Sequence, residues 1–187
     1  MIKRFFDLSL AIPLALIFAL PIAIIAVAVR ITSKGPAVHW SKRVGRNNKL
    51  FLMPKFRSMK IDTPQIATHL VSNPKSFLTP IGGFLRVTSL DELPQIYSVL
   101  VGDMSFVGPR PALFNQDDLI QLRTECGVDK IQPGITGWAQ INGRDELPIP
   151  EKVQLDKYYL DHMSAAFDLK ILFLTALKVI KRDGITH

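Results

Sequence analysis

A long apolar segment near the N-terminus constrains the fold of this chain more than any other feature of its sequence. From Leu8 to Val29 there are 22 residues, of which only Ser9 is polar. At about 1.5 Å per residue, a helix of this length would cross roughly 30 Å of hydrocarbon. The segment therefore indicates a helix in a membrane, with a cleaved signal peptide or a buried core helix as alternatives.

Two further features favour a helix that enters and leaves the membrane on the same side. Pro13 and Pro21 interrupt the segment, and a proline inside a helix removes a hydrogen bond and bends the helix. A spanning helix concentrates its basic residues on the cytoplasmic side. Here they flank both ends, as Lys3, Arg4, Arg30, Lys34, Lys42 and Arg43. We therefore expect a re-entrant helix bent at Pro21, with a single-pass anchor as the alternative.

Composition indicates which classes of partner the rest of the chain can bind. The 187 residues suffice for one compact domain, and 23 Lys and Arg against 16 Asp and Glu favour anionic partners. The sequence has neither an aromatic–basic platform nor a recognition-helix motif, so we expect no nucleic acid partner. The single cysteine, Cys126, excludes an intramolecular disulfide, and the four scattered histidines do not predict a metal site.

Short elements are expected after the apolar segment, because prolines punctuate the first half of the chain. We predict two short strands over residues 37–40 and 50–53, joined by a turn over residues 45–48. The final predicted helix is amphipathic and basic, which suits a membrane interface. Apolar spacing predicts helices over residues 95–101, 112–126, 151–162 and 168–182. The predicted fold class is α+β, mainly helical.

Adjacent carboxylates, Asp91 and Glu92, lie near the start of a predicted helix. Ser89 and Glu92 have the spacing of a capping box, while Pro94 fits the first helical turn and favours a start nearer Asp91. A helix dipole favours the ionised form of both carboxylates, and an ionised aspartate can attack phosphorus. The same pair is also typical of a helix start that has no catalytic role.

Attack by a carboxylate on an anionic phosphoryl group requires neutralisation of charge. Arg110 stands between Pro109 and Pro111, whose restricted backbones lower the entropic cost of holding its guanidinium against a phosphate. A structural turn with a surface arginine is the alternative. A Mg²⁺ ion is also expected, held by Asp91, Glu92 and substrate phosphates. The other nearby cations are Lys55, Arg57, Lys60 and Arg86.

A third block, residues 132–144, combines turn residues with Trp138 and the amides of Gln140 and Asn142. Such a loop can hold a base and a ribose by stacking and hydrogen bonding. It lacks the spacing of a Walker loop or a dinucleotide fingerprint, and an ordinary connecting loop is the alternative.

Five sequence blocks, in their order along the chain, strongly resemble the bacterial sugar transferase family, the monotopic phosphoglycosyl transferases. The resemblance covers nearly the whole chain, whose length is similar to that of small members consisting of the catalytic unit alone. An aromatic residue usually precedes the second block, where this chain has Met53-Pro54, and a glutamine is common in place of Ser41. The blocks are K-R-V-G-R (42–46), K-F-R-S-M (55–59), S-L-D-E-L-P-Q (89–95), G-D-M-S-F-V-G-P-R-P (102–111) and P-G-I-T-G-W-A-Q-I-N-G-R (133–144).

This resemblance implies a re-entrant membrane helix over residues 1–30 and a catalytic domain over residues 31–187. It implies an active site at the cytoplasmic leaflet of the bacterial inner membrane, with the lipid bilayer as a partner. The implied reaction transfers a sugar 1-phosphate from a UDP-sugar to polyprenol (undecaprenyl) phosphate and releases UMP. Such a step begins the membrane assembly of a bacterial glycoconjugate.

The resemblance also suggests roles for individual residues. Asp91 would be the nucleophile, and Glu92 would support the Mg²⁺ ion and orient the aspartate. Arg110 would bind phosphate, while the remaining expected substrate contacts are Arg86, Lys55, Arg57, Pro111, Gln140, Asn142 and Arg144. A non-catalytic membrane adaptor with the same fold is the competing hypothesis. The motifs do not identify the sugar, and a homo-oligomer is compatible with the sequence.

Overall fold

The computed structural model describes residues 2–63, 74–143 and 147–181. The protein is mainly helical, with a few short strands and one long apolar N-terminal helix, as predicted. The described helices and strands are α1 (Ile2–Thr32), β1 (Val38–Val44), β2 (Leu50–Phe56), α2 (Gly82–Val87), α3 (Gln95–Val101), β3 (Ser105–Val107), α4 (Asp117–Glu125), β4 (Gly134–Thr136), α5 (Trp138–Asn142), α6 (Ile149–Asp161) and α7 (Ala165–Lys181).

Helix α1 has the length and composition needed to cross a membrane, and it contains both Pro13 and Pro21. Of its residues, only Asp7, Ala11 and Val29 are fully buried against the rest of the protein. Its exposed large apolar side chains are Ile2, Phe5, Ile12, Leu16, Ile17, Leu20, Ile24, Val27 and Ile31. A core helix would bury such a surface, so this finding excludes the buried-core alternative within the described residues.

The N-terminal end of α1 is attached to the globular part by three charged side chains. Lys3 Nζ lies 2.6 Å from Asp168 Oδ2 on α7, and Arg4 Nη2 donates to the carbonyl oxygen of Leu100 at 2.7 Å. Asp7 Oδ1 accepts hydrogen bonds from Ser105 Oγ at 2.9 Å and from the backbone N–H that follows it at 3.1 Å. Charged groups are costly to bury unless they have polar partners, and each of these has at least one, although Oδ2 of Asp7 is buried without a hydrogen bond from the described residues.

The C-terminal end of α1 contacts the same globular part. Val29 packs with Phe56 on β2 and Leu85 on α2. Arg57 Nη2 donates to Ser33 Oγ at 2.7 Å and to the Ser33 carbonyl oxygen at 3.0 Å, and its other amino group reaches the carbonyl of Lys34. Both ends of the apolar helix are therefore held by one globular unit, while the surface between them stays exposed.

Strands β1 and β2 form the predicted antiparallel hairpin, and each strand is longer than expected. The register pairs His39 with Lys55 and Trp40 with Pro54. Because directly opposed residues share a face, Lys55 and His39 lie on one face of the hairpin and Trp40 on the other. The connecting turn includes a 3-10 segment at Arg46–Asn48.

A parallel pair of strands, β3 and β4, lies beside the core and was not predicted. Ser105 pairs with Gly134 and Val107 with Thr136. A Cβ atom added to Gly134 would lie 2.1 Å from the backbone nitrogen of Gly108, so only glycine allows this approach. The contact brings the segment after β3, which carries Arg110, next to the segment that precedes β4.

The predicted helices are largely confirmed, with differences at their ends. Helix α4 begins at Asp117 and not at Ala112, because the Ala112 carbonyl oxygen accepts a hydrogen bond from Val44 N at 3.0 Å and extends the hairpin. Helix α7 begins at Ala165, three residues before the predicted start. It exposes Leu169 and Phe173, as expected of an amphipathic helix. Helix α2 was not predicted.

Candidate active site

The carboxylate pair lies on a tight turn between α2 and α3. Ser89 has a left-handed backbone (φ 57°) and its side chain makes no capping hydrogen bond, so the predicted capping box is wrong. A 3-10 turn follows over Leu90–Glu92, and α3 begins only at Gln95, with Pro94 at its N-cap. Asp91 and Glu92 therefore precede the α-helix and do not lie in its first turn.

Glu92 joins three separate elements through one oxygen atom. Lys55 Nζ, from strand β2, lies 2.6 Å from Glu92 Oε1, and Arg110 Nη2, from the segment after β3, lies 3.1 Å from the same oxygen. Residues that are 37 and 18 positions from Glu92 in sequence are thereby brought into one cluster. The fold thus places two cations beside the dyad.

Asp91 is almost fully buried, with 8% of its surface exposed. The pKa of its carboxyl is raised from 3.8 to about 6, mainly by burial and also by the adjacent Glu92 charge, and this is the net result after the opposing effects of Lys55, Arg86 and Arg110. The helix dipole expected from the sequence predicted a lowered pKa for Asp91. That prediction was wrong because the loss of hydration outweighs the nearby positive charges.

Glu92 has the opposite behaviour. Burial opposes its ionisation, but Lys55 and Arg110 outweigh that effect and hold the pKa of the Glu92 carboxyl well below its ordinary value. Burial and the Arg110 charge lower the pKa of Lys55, although Glu92 and Asp91 act in the other direction. Two neighbouring carboxyl groups with pKa values pushed apart are suited to different tasks. Glu92 is a permanent charge, whereas Asp91 is a basic carboxylate that becomes ionised near neutral pH.

The dyad supplies oxygen ligands of the kind that Mg²⁺ prefers. Within the described ranges, no group of three or more His, Cys, Asp or Glu residues could form a complete metal cage. Mg²⁺ is commonly held by one or two carboxylates together with substrate phosphates and water, so the Asp91–Glu92 pair fits such a site. Among the described residues, no hydrogen bond reaches the Asp91 carboxylate, which leaves both of its oxygens for a ligand.

Of the other expected substrate contacts, Arg86 lies near the dyad and Pro111 lies next to Arg110 in the chain. The Arg86 charge acts on Asp91, and Arg86 Nη1 also lies 3.3 Å from Met59 Sδ. Pro111 directly follows Arg110, is buried, and accepts a hydrogen bond through its carbonyl oxygen from Arg43 Nη1 at 3.1 Å. These residues place a third cation and a rigid backbone segment around the carboxylates.

The structure places three expected contacts elsewhere, and a fourth, Arg144, lies outside the described residues. Arg57 is directed at the end of α1 and not at the dyad. Gln140 is buried on α5 and donates to the Ile135 carbonyl oxygen at 3.3 Å, while Asn142 donates to the Trp138 carbonyl oxygen at 2.7 Å. None of these hydrogen bonds connects to the dyad.

Trp138 is partly buried and belongs to an aromatic cluster at the edge of the core. Its ring stacks on Tyr158 at a centroid distance of 5.9 Å and meets Phe167 at 5.0 Å, and Lys170 Nζ lies 5.6 Å from its ring centre. In this structure the Trp138 ring packs between α5, α6 and α7, and the hypothesis that its loop holds a nucleotide base by stacking stays a prediction. The indole ring of Trp138 packs against the hydrophobic core.

A buried ion pair that contacts the Arg110 backbone was not predicted. Arg123 on α4 contacts Asp156 on α6 through Nη2 at 2.6 Å and donates from Nη1 to the Arg110 carbonyl oxygen at 2.8 Å. The two charges are 33 residues apart, and no local motif connects them. The pair is distinguished by its burial, since Arg123 and Asp156 are only 8% and 1% exposed. Burial cannot be seen in the sequence, so the pair could not have been found there.

Known proteins match this chain in sequence along nearly its whole length. The family model described as bacterial sugar transferase matches residues 1–182. The UDP-glucose:undecaprenyl-phosphate glucose-1-phosphate transferase of Escherichia coli (strain K12) is 42% identical over 95% of this chain, and the undecaprenyl-phosphate galactose phosphotransferase of Salmonella typhimurium (strain LT2) is 38% identical over 98%. This chain spans 40% and 41% of the lengths of those two proteins.

A relative of similar size also matches. The uncharacterized sugar transferase EpsL of Bacillus subtilis (strain 168) is 40% identical over 186 residues, which cover 98% of this chain and 90% of that protein. The family match and the clustered dyad, Lys55 and Arg110 lead to the same conclusion. The chain belongs to the bacterial sugar transferase family.

Proposed function

We propose that this protein transfers a sugar 1-phosphate from a UDP-sugar to a polyprenol phosphate such as undecaprenyl phosphate. The observation that carries the proposal is the buried Asp91 carboxylate, which lies next to a Glu92 that is held by Lys55 and Arg110. The names of the E. coli and Salmonella relatives describe undecaprenyl-phosphate sugar phosphotransferases. The function is therefore that of a phosphoglycosyl transferase.

The first half-reaction uses Asp91 as the nucleophile. Its carboxylate oxygen attacks the β-phosphorus of the UDP-sugar, a new O–P bond forms, and the bond to the UMP oxygen breaks with its electron pair. The sugar phosphate is then attached to Asp91 as an acyl phosphate. Burial makes Asp91 a stronger base than an exposed aspartate, which favours attack, and at neutral pH a pKa near 6 still leaves most of it ionised.

The second half-reaction regenerates the enzyme. A phosphate oxygen of the polyprenol phosphate attacks the same phosphorus, and the Asp91–phosphorus bond breaks to leave the carboxylate and a polyprenyl diphosphate-sugar. Both steps bring negative charge into a buried site, where fixed cations are most effective. Arg110 and Arg86 would neutralise the phosphates, and Lys55 with Arg110 keeps Glu92 ionised. When bound by Asp91, Glu92 and substrate phosphates, Mg²⁺ would supply further charge neutralisation.

The exposed apolar surfaces support a monotopic arrangement at the inner membrane. Both ends of α1 are held by the same globular unit, so we propose that α1 is re-entrant, bends at Pro21, and keeps the active site on the cytoplasmic face. Exposed apolar and aromatic side chains on the helices that contact α1 would lie in the interface. They include the exposed Phe84, Val87, Tyr97, Val101, Leu169 and Phe173 of α2, α3 and α7.

The direct test measures UMP release by protein held in nanodiscs with Mg²⁺, undecaprenyl phosphate and a panel of UDP-sugars. We expect release with at least one sugar and a parallel appearance of polyprenyl diphosphate-sugar. With the UDP-sugar alone, mass spectrometry of a rapidly quenched sample should detect a sugar phosphate on the peptide containing Asp91. UMP release without any such adduct under single-turnover conditions would contradict the covalent mechanism.

A further inference from the structure

The backbone around Arg110 is held through four consecutive carbonyl groups. The oxygens of residues 109 and 112 accept from the backbone N–H groups of Gly134 and Val44, at 2.9 and 3.0 Å. The two central oxygens accept from side chains: Arg110 O from Arg123 Nη1 at 2.8 Å, and Pro111 O from Arg43 Nη1 at 3.1 Å. The segment is therefore fixed along its length, although Pro109 and Pro111 have no N–H to contribute.

Arg123 contacts the backbone carbonyl of Arg110, whereas Glu92 contacts its guanidinium. Its Nη1 is used for the Arg110 carbonyl, while Nε and Nη2 contact Asp156 Oδ2 at 3.0 and 2.6 Å. The side chains of Arg123 and Asp156 are only 9% and 2% exposed, so neither is accessible to a bound substrate. The planar guanidinium of arginine can donate hydrogen bonds to two acceptors in different directions, and the single ammonium group of lysine cannot reach both.

A buried ion pair is weak evidence for stability, because an apolar pair of similar volume often stabilises a fold equally well. An apolar pair could not, however, donate a hydrogen bond to the carbonyl of Arg110. We propose that Arg123 and Asp156 are positioning residues that set the backbone of Arg110, and through it the guanidinium that contacts Glu92 and the substrate phosphate. This inference depends on the anion-binding role of Arg110 given by the proposed function.

The test is a double-mutant cycle between Arg123 and Arg110. Arg123→Lys keeps the charge but cannot contact both acceptors, and small displacements of a catalytic group cost roughly 10- to 100-fold in rate. We expect kcat/KM for UMP release to fall at least about 10-fold when Arg110 is present, and less than about two-fold in the Arg110→Ala background. Equal losses in both backgrounds would overturn the proposal, because Arg123 would then act independently of Arg110.

A second variant separates positioning from folding. Arg123→Met combined with Asp156→Leu removes both charges and leaves neither of them buried alone, so we expect the protein to fold with a Tm close to that of the parent. We expect its kcat/KM to fall as far as in Arg123→Lys. Normal activity in this folded variant would contradict the proposal. Asp161→Asn, which breaks the exposed Lys157–Asp161 pair on the same helix, is the matched control and should retain parental activity.

Affinity for inorganic pyrophosphate, measured by calorimetry on the same proteins, provides a readout that needs no turnover. We expect Arg123→Lys to weaken pyrophosphate binding when Arg110 is present and to leave it unchanged in the Arg110→Ala background. If the parent releases no UMP with any sugar, the proposed function fails while this binding cycle still tests the positioning inference. Equal weakening in both backgrounds would exclude positioning even if turnover is normal.

Discussion

Lys55 Nζ lies 2.6 Å from Glu92 Oε1 and thereby joins strand β2 to the turn between α2 and α3. The side chains are 17% and 22% exposed, so this ion pair is mostly shielded from water. Arg110 reaches the same oxygen from a third element. The charge of Glu92 is consequently determined by tertiary contacts, and the neighbouring Asp91 is left without a hydrogen bond from any residue that the structure describes.

Replacing Asp91 with asparagine should abolish transfer. The amide keeps the shape of the side chain but cannot form the covalent phospho-sugar, so we expect UMP release to fall by more than roughly 10⁴-fold. Because the substitution leaves the apolar surface of α1 and the contacts at both of its ends unchanged, the variant should still sediment with membranes. Asp161→Asn, on the exposed face of α6, controls for the substitution itself. Substantial turnover by Asp91→Asn at saturating substrate would show that another group is the nucleophile.

The raised pKa of Asp91 should affect stability as pH changes. The folded protein binds an extra proton between about pH 4 and pH 6, because the folded-state pKa exceeds the ordinary value of 3.8. This group therefore lowers stability as pH rises through that window, by on the order of 3 kcal/mol in total. Asp91→Asn has no ionisable group at this position and should not lose stability in this way. The Tm of the variant minus the Tm of the parent should therefore increase as the pH is raised from 4.5 to 7 in magnesium-free buffer. A constant difference in Tm would contradict this assignment.

The same group should set the acidic limb of activity. Since Asp91 must be ionised to attack, kcat/KM should decline below about pH 6, where the free enzyme becomes protonated. Lys55→Met removes a charge that lowers the Asp91 pKa, so the acidic limb should move to higher pH and kcat/KM at pH 7 should fall on the order of 100-fold. Lys49→Met, an exposed change on the same hairpin, is the control. An unmoved limb in Lys55→Met would show that this lysine does not act on the nucleophile.

Arg57 should behave as a structural residue. Arg57→Ala leaves the carbonyl groups that follow α1 without their donor, and we expect a loss of about 2–3 kcal/mol in stability, read as a lower Tm. The KM for the UDP-sugar in the folded fraction should remain within about two-fold of the parent, because the guanidinium contacts Ser33 and Lys34 and not the dyad. A large increase in KM with an unchanged Tm would restore the original phosphate-binding hypothesis.

The re-entrant arrangement predicts that both termini face the cytoplasm. Single cysteines added at each end of a Cys126→Ala protein should react with a membrane-impermeant maleimide only after spheroplasts are opened. Labelling of the N-terminal cysteine in intact spheroplasts would show a spanning helix. A cysteine at exposed Asn48, in the hairpin turn, provides the control for the cytoplasmic side.

Several local features could be predicted because they depend on neighbours along the chain. The apolar run from Leu8 to Val29 predicts a long helix, since each of its residues contributes to one continuous surface. The hairpin follows from apolar segments on either side of a turn-forming Gly45–Asn48 sequence. The S-L-D-E-L-P-Q and G-P-R-P blocks indicated the dyad and Arg110, which the structure brings together.

The properties of those residues depended on contacts that the sequence does not report. Whether an arginine meets a carboxylate or a helix end was decided by folding, and so Arg110 lies at the dyad while Arg57 lies at the end of α1. The same holds for the Arg123–Asp156 pair, which links α4 to α6.

The apolar helix, the hairpin, the family and the identity of the two carboxylates are encoded in consecutive residues and could be predicted from them. The burial and raised pKa of Asp91, and the ionised state of Glu92 between two cations, depend on the folded structure. Hydration and charge–charge energies depend on distances in space, and chain folding sets those distances.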